Sequence, residues 1–183
     1  MKLRNVSLAD RLRIAISSCL LGNEVRYDGK HSRSDIIVES IGELFELIPI
    51  CPEVGIGLGI PRPPINLVAV DGKVQVRGVS NPEQNVTDAL TDYAFSLKEQ
   101  LSSVHGYIFK SRSPSCGLKD VAVYDNKTNQ VLDTSAGQFA KVVMELCPRL
   151  PVADEVYLTD KTLREKFIEH VIAYSKDSNK IKG

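Results

Sequence analysis

The chain has 183 residues, of which 43% are hydrophobic and 25% charged, the composition of a globular protein with a substantial core. Its 23 basic and 23 acidic side chains give a formal net charge of zero, so no overall charge attracts it to nucleic acid or anionic lipid. No apolar run approaches the roughly 20 residues of a membrane span, and the N-terminal segment lacks the apolar stretch of a secretory signal. We therefore expect a cytoplasmic protein with no membrane partner, built as a single domain over 1–183.

The first part of the chain predicts two buried strands with a helix between them. The apolar run 14–20 predicts a strand that passes into a loop. Apolar residues at helical spacing then predict an amphipathic helix over 34–47. The run 47–51 predicts the second strand, and its Pro49 favours an edge position or a short strand.

The middle of the chain predicts a β-hairpin followed by a long helix. Residues 67–78 have the pattern of two strands joined at Asp71 and Gly72, a dipeptide typical of tight hairpin turns. Apolar residues between 86 and 104 recur at steps of three and four, which predicts a helix of about 18 residues.

The remainder predicts two strands, a short undecided segment and two helices. The strands are expected at 107–110 and 121–125, and the helices within 139–150 and 163–174. Residues 151–158 are consistent with either a loop or a strand.

Strands that alternate with helices favour a parallel sheet covered on both faces. The sequence therefore predicts an α/β fold, a single-domain Rossmann-like three-layer sandwich with a mostly parallel sheet and an inserted β-hairpin. In such folds the ligand lies at the carboxyl ends of the strands.

Three cysteines occupy positions that follow predicted strands. Cys19 follows the first strand, Cys51 closes the second, and Cys116 lies shortly after the strand at 107–110. If these strands are neighbours, the three thiols converge at one edge of the sheet. Cys147 differs, because it falls on the apolar face of a predicted helix and is interpreted as structural.

The cysteine spacing leaves several kinds of site open. The absence of any CxxC pair excludes zinc ribbons, zinc fingers and ordinary ferredoxin patterns. Grouped thiolates select zinc or an iron–sulfur cluster. Three thiolates leave one iron of a four-iron cube open to a substrate, whereas Cys147 as a fourth ligand would suit electron transfer or redox sensing. A zinc-stabilised binding module is the third alternative. The nearby glycines lack the spacing of a dinucleotide loop, so no nucleotide cofactor is expected.

Polar side chains in the same loops are candidate substrate-binding groups. They are Arg26, Tyr27, Asp28, Arg62, Ser113 and Ser115. Tyr27 can stack on a base, whereas Asp28 before a glycine can mark only a turn. Arg62 can grip a carboxylate or a phosphate, or form a structural ion pair. Ser113 and Ser115 can donate to a ligand or cap their own turn.

Three motifs together resemble the thiouracil desulfidase family: 17-SSCLLG-22 with 26-RYDG-29, 51-CPE-53 with 57-GLGIPRPP-64, and 109-FKSRSPSCG-117. The similarity extends over about 13–175. It implies a [4Fe-4S] cluster held by Cys19, Cys51 and Cys116 with one open iron. It also implies that Glu53 and Ser111 are catalytic. The implied reaction is a non-redox conversion of C=S to C=O in a thiolated pyrimidine, of 2-thiouracil or 4-thiouridine type, with release of sulfide.

The end of the chain is similar to one branch of that family. The segments 150-LPVADE-155 and 161-KTLREKFIEHVIAY-174 resemble the branch often fused to an RNA-associated domain, which acts on thiolated uridine in tRNA. That second domain is expected to be absent here, which favours a small substrate over thiolated tRNA. The branch usually has EEEGRL where this chain has 153-ADEVYL-158, and the missing Gly-Arg pair puts the substrate preference in question.

Overall fold

The computed structural model describes residues 11–181 of the chain. Its strands, in chain order, are β1 (Arg13–Ser17), β2 (Glu46–Ile50), β3 (Ile65–Val70), β4 (Lys73–Gly78), β5 (Gly106–Phe109), β6 (Val121–Asp125), β7 (Val131–Ser135) and β8 (Val152–Asp154). The α-helices are α1 (Pro52–Gly55), α2 (Thr87–Ser96), α3 (Lys98–Ser102), α4 (Gln138–Leu146) and α5 (Lys161–Ile181). Two short 3₁₀ turns lie at Ser18–Leu21 and Tyr157–Thr159, and a π-helical turn lies at Ile37–Ile41.

Four strands form a fully parallel sheet in the spatial order β2–β1–β5–β8. The three strands that precede the cysteines are therefore direct neighbours, with β1 in the middle. β2 lies at the edge, as Pro49 predicted. Residues 152–154, left undecided by the sequence, form the opposite edge strand.

The parallel sheet is the middle of three layers. On one face Ile14, Ile16 and Ile108 pack against α5 and the π-helical turn. On the other face Ala15 and Phe109 pack against α2, α4 and part of a second sheet. Successive side chains of a strand point to opposite faces, so two separate apolar clusters form. The predicted α/β sandwich is confirmed.

The second sheet has the order β4–β3–β6–β7, and only its β3–β6 pair is parallel. The predicted hairpin is present as β3 and β4, and the backbone of Asp71 and Gly72 has the positive φ angles of 49° and 75° that a tight turn needs. The hairpin is thus half of a sheet that β6 and β7 complete. β7 was missed because its side chains are almost all exposed, which leaves no alternating apolar pattern.

Two helix predictions were too long. The helix expected over 34–47 is reduced mainly to the π-helical turn, which ends where the N–H of Gly42 donates to the carbonyl of Ile37 at 3.0 Å. The chain must then turn so that Glu46 can pair with Arg13 at the start of the sheet. The helix expected over 86–104 breaks between α2 and α3. Within residues 11–181, no helix combines the length and the apolar character needed to cross a membrane.

Candidate active site

The carboxyl ends of β1, β2 and β5 meet at a cavity of about 400 Å³. Cys19, Cys51 and Cys116 all line it, together with Glu53 and Ser111. Parallel strands expose their carboxyl ends at the same edge of a sheet, so residues that are far apart in sequence become neighbours. The convergence expected from the sequence is therefore present in the fold.

Short turns hold Cys19 and Cys51. Cys19 lies in the 3₁₀ turn after β1, and its carbonyl accepts a hydrogen bond from the N–H of Ser32 at 2.9 Å. Cys51 immediately precedes α1, and its carbonyl accepts from the N–H of Gly55 at 2.9 Å. Each thiol therefore projects from a backbone that is hydrogen-bonded to the following loop or helix.

The loop after β5 places Cys116. Its backbone N–H donates to the hydroxyl oxygen of Ser113 at 3.0 Å, and the N–H of Ser115 donates to the same oxygen at 3.2 Å. Ser113, one of the predicted substrate-binding residues, thus supports the turn and also lines the cavity. The N–H of Lys110 donates to the hydroxyl of Ser17 at 2.9 Å, which ties this loop to the end of β1.

The start of α4 is hydrogen-bonded to the same loop. The N–H of Gln138 donates to the carbonyl of Pro114, and that of Ala140 to the carbonyl of Ser115, both at 3.0 Å. Gly137 permits this approach, because a Cβ there would lie 2.6–2.7 Å from backbone atoms of Ser113 and Ser115. Only a residue without a side chain fits at this point.

Burial raises the pKa values of the three thiols. It raises that of Cys19 to about 11, with a further contribution from the neighbouring Cys51. It raises that of Cys116 well above its usual range, and the charge of Glu53, then Cys51 and Cys19, add to the effect. The mutual influence of the three groups reflects their closeness. A metal that binds here must displace thiol protons.

Glu53 is held by two partners. Its Oε2 accepts from Nε of Arg62 at 2.8 Å and lies 2.8 Å from the second guanidinium nitrogen, and its Oε1 accepts from the hydroxyl of Ser115 at 2.9 Å. The guanidinium of Arg62 also donates to the carbonyls of Gly59 and Val25, at 3.0 and 2.9 Å. The structure therefore places Arg62 in an ion pair beside the cavity, the second of the two alternatives considered for it.

Ser111 belongs to a hydrogen-bonded group with Lys110 and Glu155. Its hydroxyl donates to Glu155 Oε1 at 2.6 Å and accepts from Lys110 Nζ at 3.2 Å, while its N–H donates to Glu155 Oε2 at 2.8 Å. Lys110 and Glu155 also form an ion pair. Burial by itself raises the pKa of Glu155, but hydrogen bonds from Lys110 and Ser111 outweigh it and hold that pKa below its ordinary value.

The loop after Cys19 supplies one wall of the cavity. Arg26 and Tyr27 line it, with the guanidinium carbon 5.6 Å from the centre of the Tyr27 ring. Asp28 instead forms an ion pair with Arg26 at 3.3 Å and accepts from the N–H of Lys30. Asp28 and Ser115 are not among the lining residues that the described chain contributes, and both contact residues that are.

Cys147 lies apart from this group. It directly follows α4, is half-buried, and packs against the large apolar cluster on one face of the parallel sheet. It does not contribute to the cavity wall within the described part of the chain. Within residues 11–181, no three His, Cys, Asp or Glu side chains are grouped closely enough to hold a single metal ion.

The family described as 2-thiouracil desulfurase matches residues 14–155 of the chain. The chain belongs to this family. The uncharacterized protein YbbK of Bacillus subtilis (strain 168) is 33% identical over 113 residues, which cover 57% of this chain and 72% of YbbK. Among solved structures, the [4Fe-4S]-dependent thiouracil desulfidase TudS aligns with a TM-score of 0.59 and 28% identity, covering 85% of this chain and 99% of TudS.

Membership of the 2-thiouracil desulfurase family confirms the resemblance drawn from the cysteine motifs. Two members of the site were missed by sequence reasoning. Neither Lys110 nor Glu155 was predicted as a site residue. The available signal was the parallel strand β8, since Glu155 follows it directly at the same edge of the sheet.

Proposed function

We propose that this protein is a [4Fe-4S]-dependent desulfidase that converts the C=S group of a thiolated pyrimidine to C=O. The observation that carries the proposal is the cavity at the carboxyl edge of the sheet, where three thiols from three adjacent strands lie beside Glu53 and Ser111. The likeness to TudS supports it. One water is consumed, one sulfide is released, and no electron is transferred.

The donor set fits the cluster by its chemistry. Thiolates are the ligands that hold iron–sulfur clusters, and a four-iron unit separates its ligands further than a single ion does. We propose Cys19, Cys51 and Cys116 as the ligands. The bound cluster would supply an open iron that acts as a Lewis acid toward the thiocarbonyl sulfur.

Ser111 is suited to orient the heterocycle. Its hydroxyl already donates to Glu155 and accepts from Lys110, so its remaining lone pair can accept the ring N–H beside the thiocarbonyl. The two partners fix the direction of this hydroxyl before substrate arrives. Preorganised polar groups of this kind contribute more than groups that must reorganise during the reaction.

Glu53 is suited to activate the attacking water. Its Oε1 accepts one hydrogen bond, from Ser115, and a carboxylate oxygen has two lone pairs, so one remains for the water. Arg62 and Ser115 fix the carboxylate in a single orientation. We assign Glu53 the role of general base, which takes the proton of the water as its oxygen adds to the thiocarbonyl carbon.

The size and lining of the cavity favour a small substrate. A volume of about 400 Å³ lies within the range of small-molecule pockets, roughly 300–1,000 Å³. Tyr27 and Arg26 offer a stacking surface for a base at the mouth. We propose a free thiopyrimidine or its nucleoside as substrate, with thiolated tRNA as the alternative. The four free thiols fit a reducing compartment, and we place the reaction in the cytoplasm.

The test is sulfide release from 2-thiouracil and from 4-thiouridine by protein reconstituted anaerobically with iron and sulfide. We expect turnover by the wild type and none by Cys116→Ala or Glu53→Ala. Cys147→Ala is the matched control, since it removes a thiol away from the cavity and should retain turnover. A loaded protein that releases no sulfide from either compound or from thiolated tRNA would refute the proposal.

A further inference from the structure

Tyr107 is a fully buried tyrosine on β5, the same strand that leads to Cys116. Its ring stacks on that of Phe109, with centroids 3.8 Å apart and planes 4° from parallel. The ring of Phe139 meets it edge-on at 6.3 Å. The ring is therefore held from two sides, and the hydroxyl has a defined position in the core.

The hydroxyl of Tyr107 has no hydrogen-bond partner among the described residues. A buried polar group without a partner is rare in folded proteins and is costly, so each case calls for an explanation. A phenylalanine would fill the same space at no such cost. The desulfidation mechanism above makes no use of this group.

The thiols of the cavity lie close enough to this hydroxyl to affect its pKa. Burial raises the pKa of Tyr107 well above its usual range, Cys116 contributes next, and Tyr93, Cys51 and Cys19 follow with smaller effects. Tyr107 and Cys116 also belong to the same buried cluster, with exposed fractions of 0% and 5%. Among the described residues Cys116 lines the cavity and Tyr107 does not, so Tyr107 lies in the core next to the cavity and not in its wall. A neutral thiol is a weak acceptor, whereas a thiolate or a sulfide accepts strongly.

We propose that the Tyr107 hydroxyl donates a hydrogen bond to a sulfur atom of the bound cluster, either the Cys116 thiolate or a cluster sulfide. This inference rests on the proposed function. The hydroxyl then has a partner only in the loaded protein, so Tyr107 favours the loaded state over the empty one. Groups that hydrogen-bond to metal-bound sulfur tune the potential and the retention of the metal.

The test compares Tyr107→Phe with Tyr124→Phe, which removes a hydroxyl on β6 outside the cavity. Without the cluster, Tyr107→Phe should raise the melting temperature by about 2–4 °C, because it removes a partnerless buried group. In loaded protein it should shift the midpoint potential to more negative values and speed cluster loss in air by about 10-fold. Tyr124→Phe should leave the potential and the rate of loss unchanged.

Resonance Raman spectra distinguish the two acceptors. A shift in the terminal iron–thiolate bands of Tyr107→Phe identifies Cys116, and a shift in the bridging bands identifies a sulfide. Loaded Tyr107→Phe with wild-type potential, bands and rate of loss would overturn the inference while leaving the proposed function intact. Failure of the wild type to take up iron would overturn both.

Discussion

Glu53 and Arg62 form an ion pair that is almost completely withdrawn from water, with side-chain exposures of 13% and 4%. The guanidinium also binds the carbonyls of Gly59, in its own loop, and of Val25, so this one side chain joins two loops and α1 beside the cavity. The charge on Glu53 is thus structural, in addition to the catalytic role that we propose for it. The two roles can be separated by experiment.

We expect Glu53→Gln to destabilise the empty protein by roughly 3–5 kcal/mol, because it leaves the buried guanidinium of Arg62 without a countercharge. Urea unfolding measures this loss. The matched control is Glu46→Gln, whose carboxylate lies 3.4 Å from Arg13 in a half-exposed pair and should matter by less than about 1 kcal/mol. Equal losses for the two variants would contradict the structural role of the buried pair.

Glu155→Gln should change how stability depends on pH. The pKa of Glu155 in the folded protein lies below its ordinary value of 4.5, so its ionised form stabilises the fold above that value. This contribution is lost as the pH falls through the lowered folded-state pKa. The melting temperatures of wild type and variant should therefore differ at neutral pH and converge as the pH falls below that lowered pKa. Curves that stay parallel over this range would show that the carboxylate is not stabilised by Lys110 and Ser111.

Cys147→Ser should leave the iron content of reconstituted protein unchanged, because this thiol lies outside the cavity wall. Cys116→Ser should lose most of the bound iron, and Cys19→Ser and Cys51→Ser should lose a similar amount. Iron and acid-labile sulfide per chain are the measurements. Loss of iron in Cys147→Ser equal to that in Cys116→Ser would favour a closed, four-thiolate cluster and an electron-transfer role.

Gly137→Ala should destabilise the protein by roughly 1–3 kcal/mol, because the added methyl group overlaps the backbone of the loop that carries Cys116. The backbone of Gly137 has a φ of −63°, so alanine meets no conformational penalty and the effect is steric. Thermal unfolding measures it. Lys141→Ala, on the exposed side of the same helix, should change stability by less than about 0.5 kcal/mol. If both variants have the same melting temperature, the contact of α4 with the loop is not tight.

Much of this fold could be predicted because its buried strands carry uninterrupted apolar runs that end in recognisable turns. Cys19, Cys51 and Cys116 could be placed together for the same reason, since each follows such a run. β7 could not be predicted, because Val131 and Leu132 are exposed and the strand has no buried face to leave a pattern.

Contacts between residues far apart in sequence could not be predicted from the local pattern of apolar and polar residues. Glu155 lies 44 residues from Ser111 in sequence, and their hydrogen bond could be anticipated only from the pairing of β5 and β8, which end at the same edge of the sheet. The pairing of Glu46 with Arg13 likewise shortened a helix that the apolar periodicity favoured. In both cases tertiary pairing overrode the signal that a short window of sequence contains.

The strand order β2–β1–β5–β8 has a consequence for synthesis on the ribosome. Cys19 and Cys51 are synthesised early. At that stage one edge of β1 has no partner strand, because β5 has not yet been translated and paired with it. Cys116 and its clamp at the start of α4 come later still, and Glu155 arrives only with β8. Assembly of the proposed cluster would therefore follow translation of α4, whose start completes the loop around Cys116. Iron and sulfide would then enter through the mouth of a cavity whose three strands are already paired.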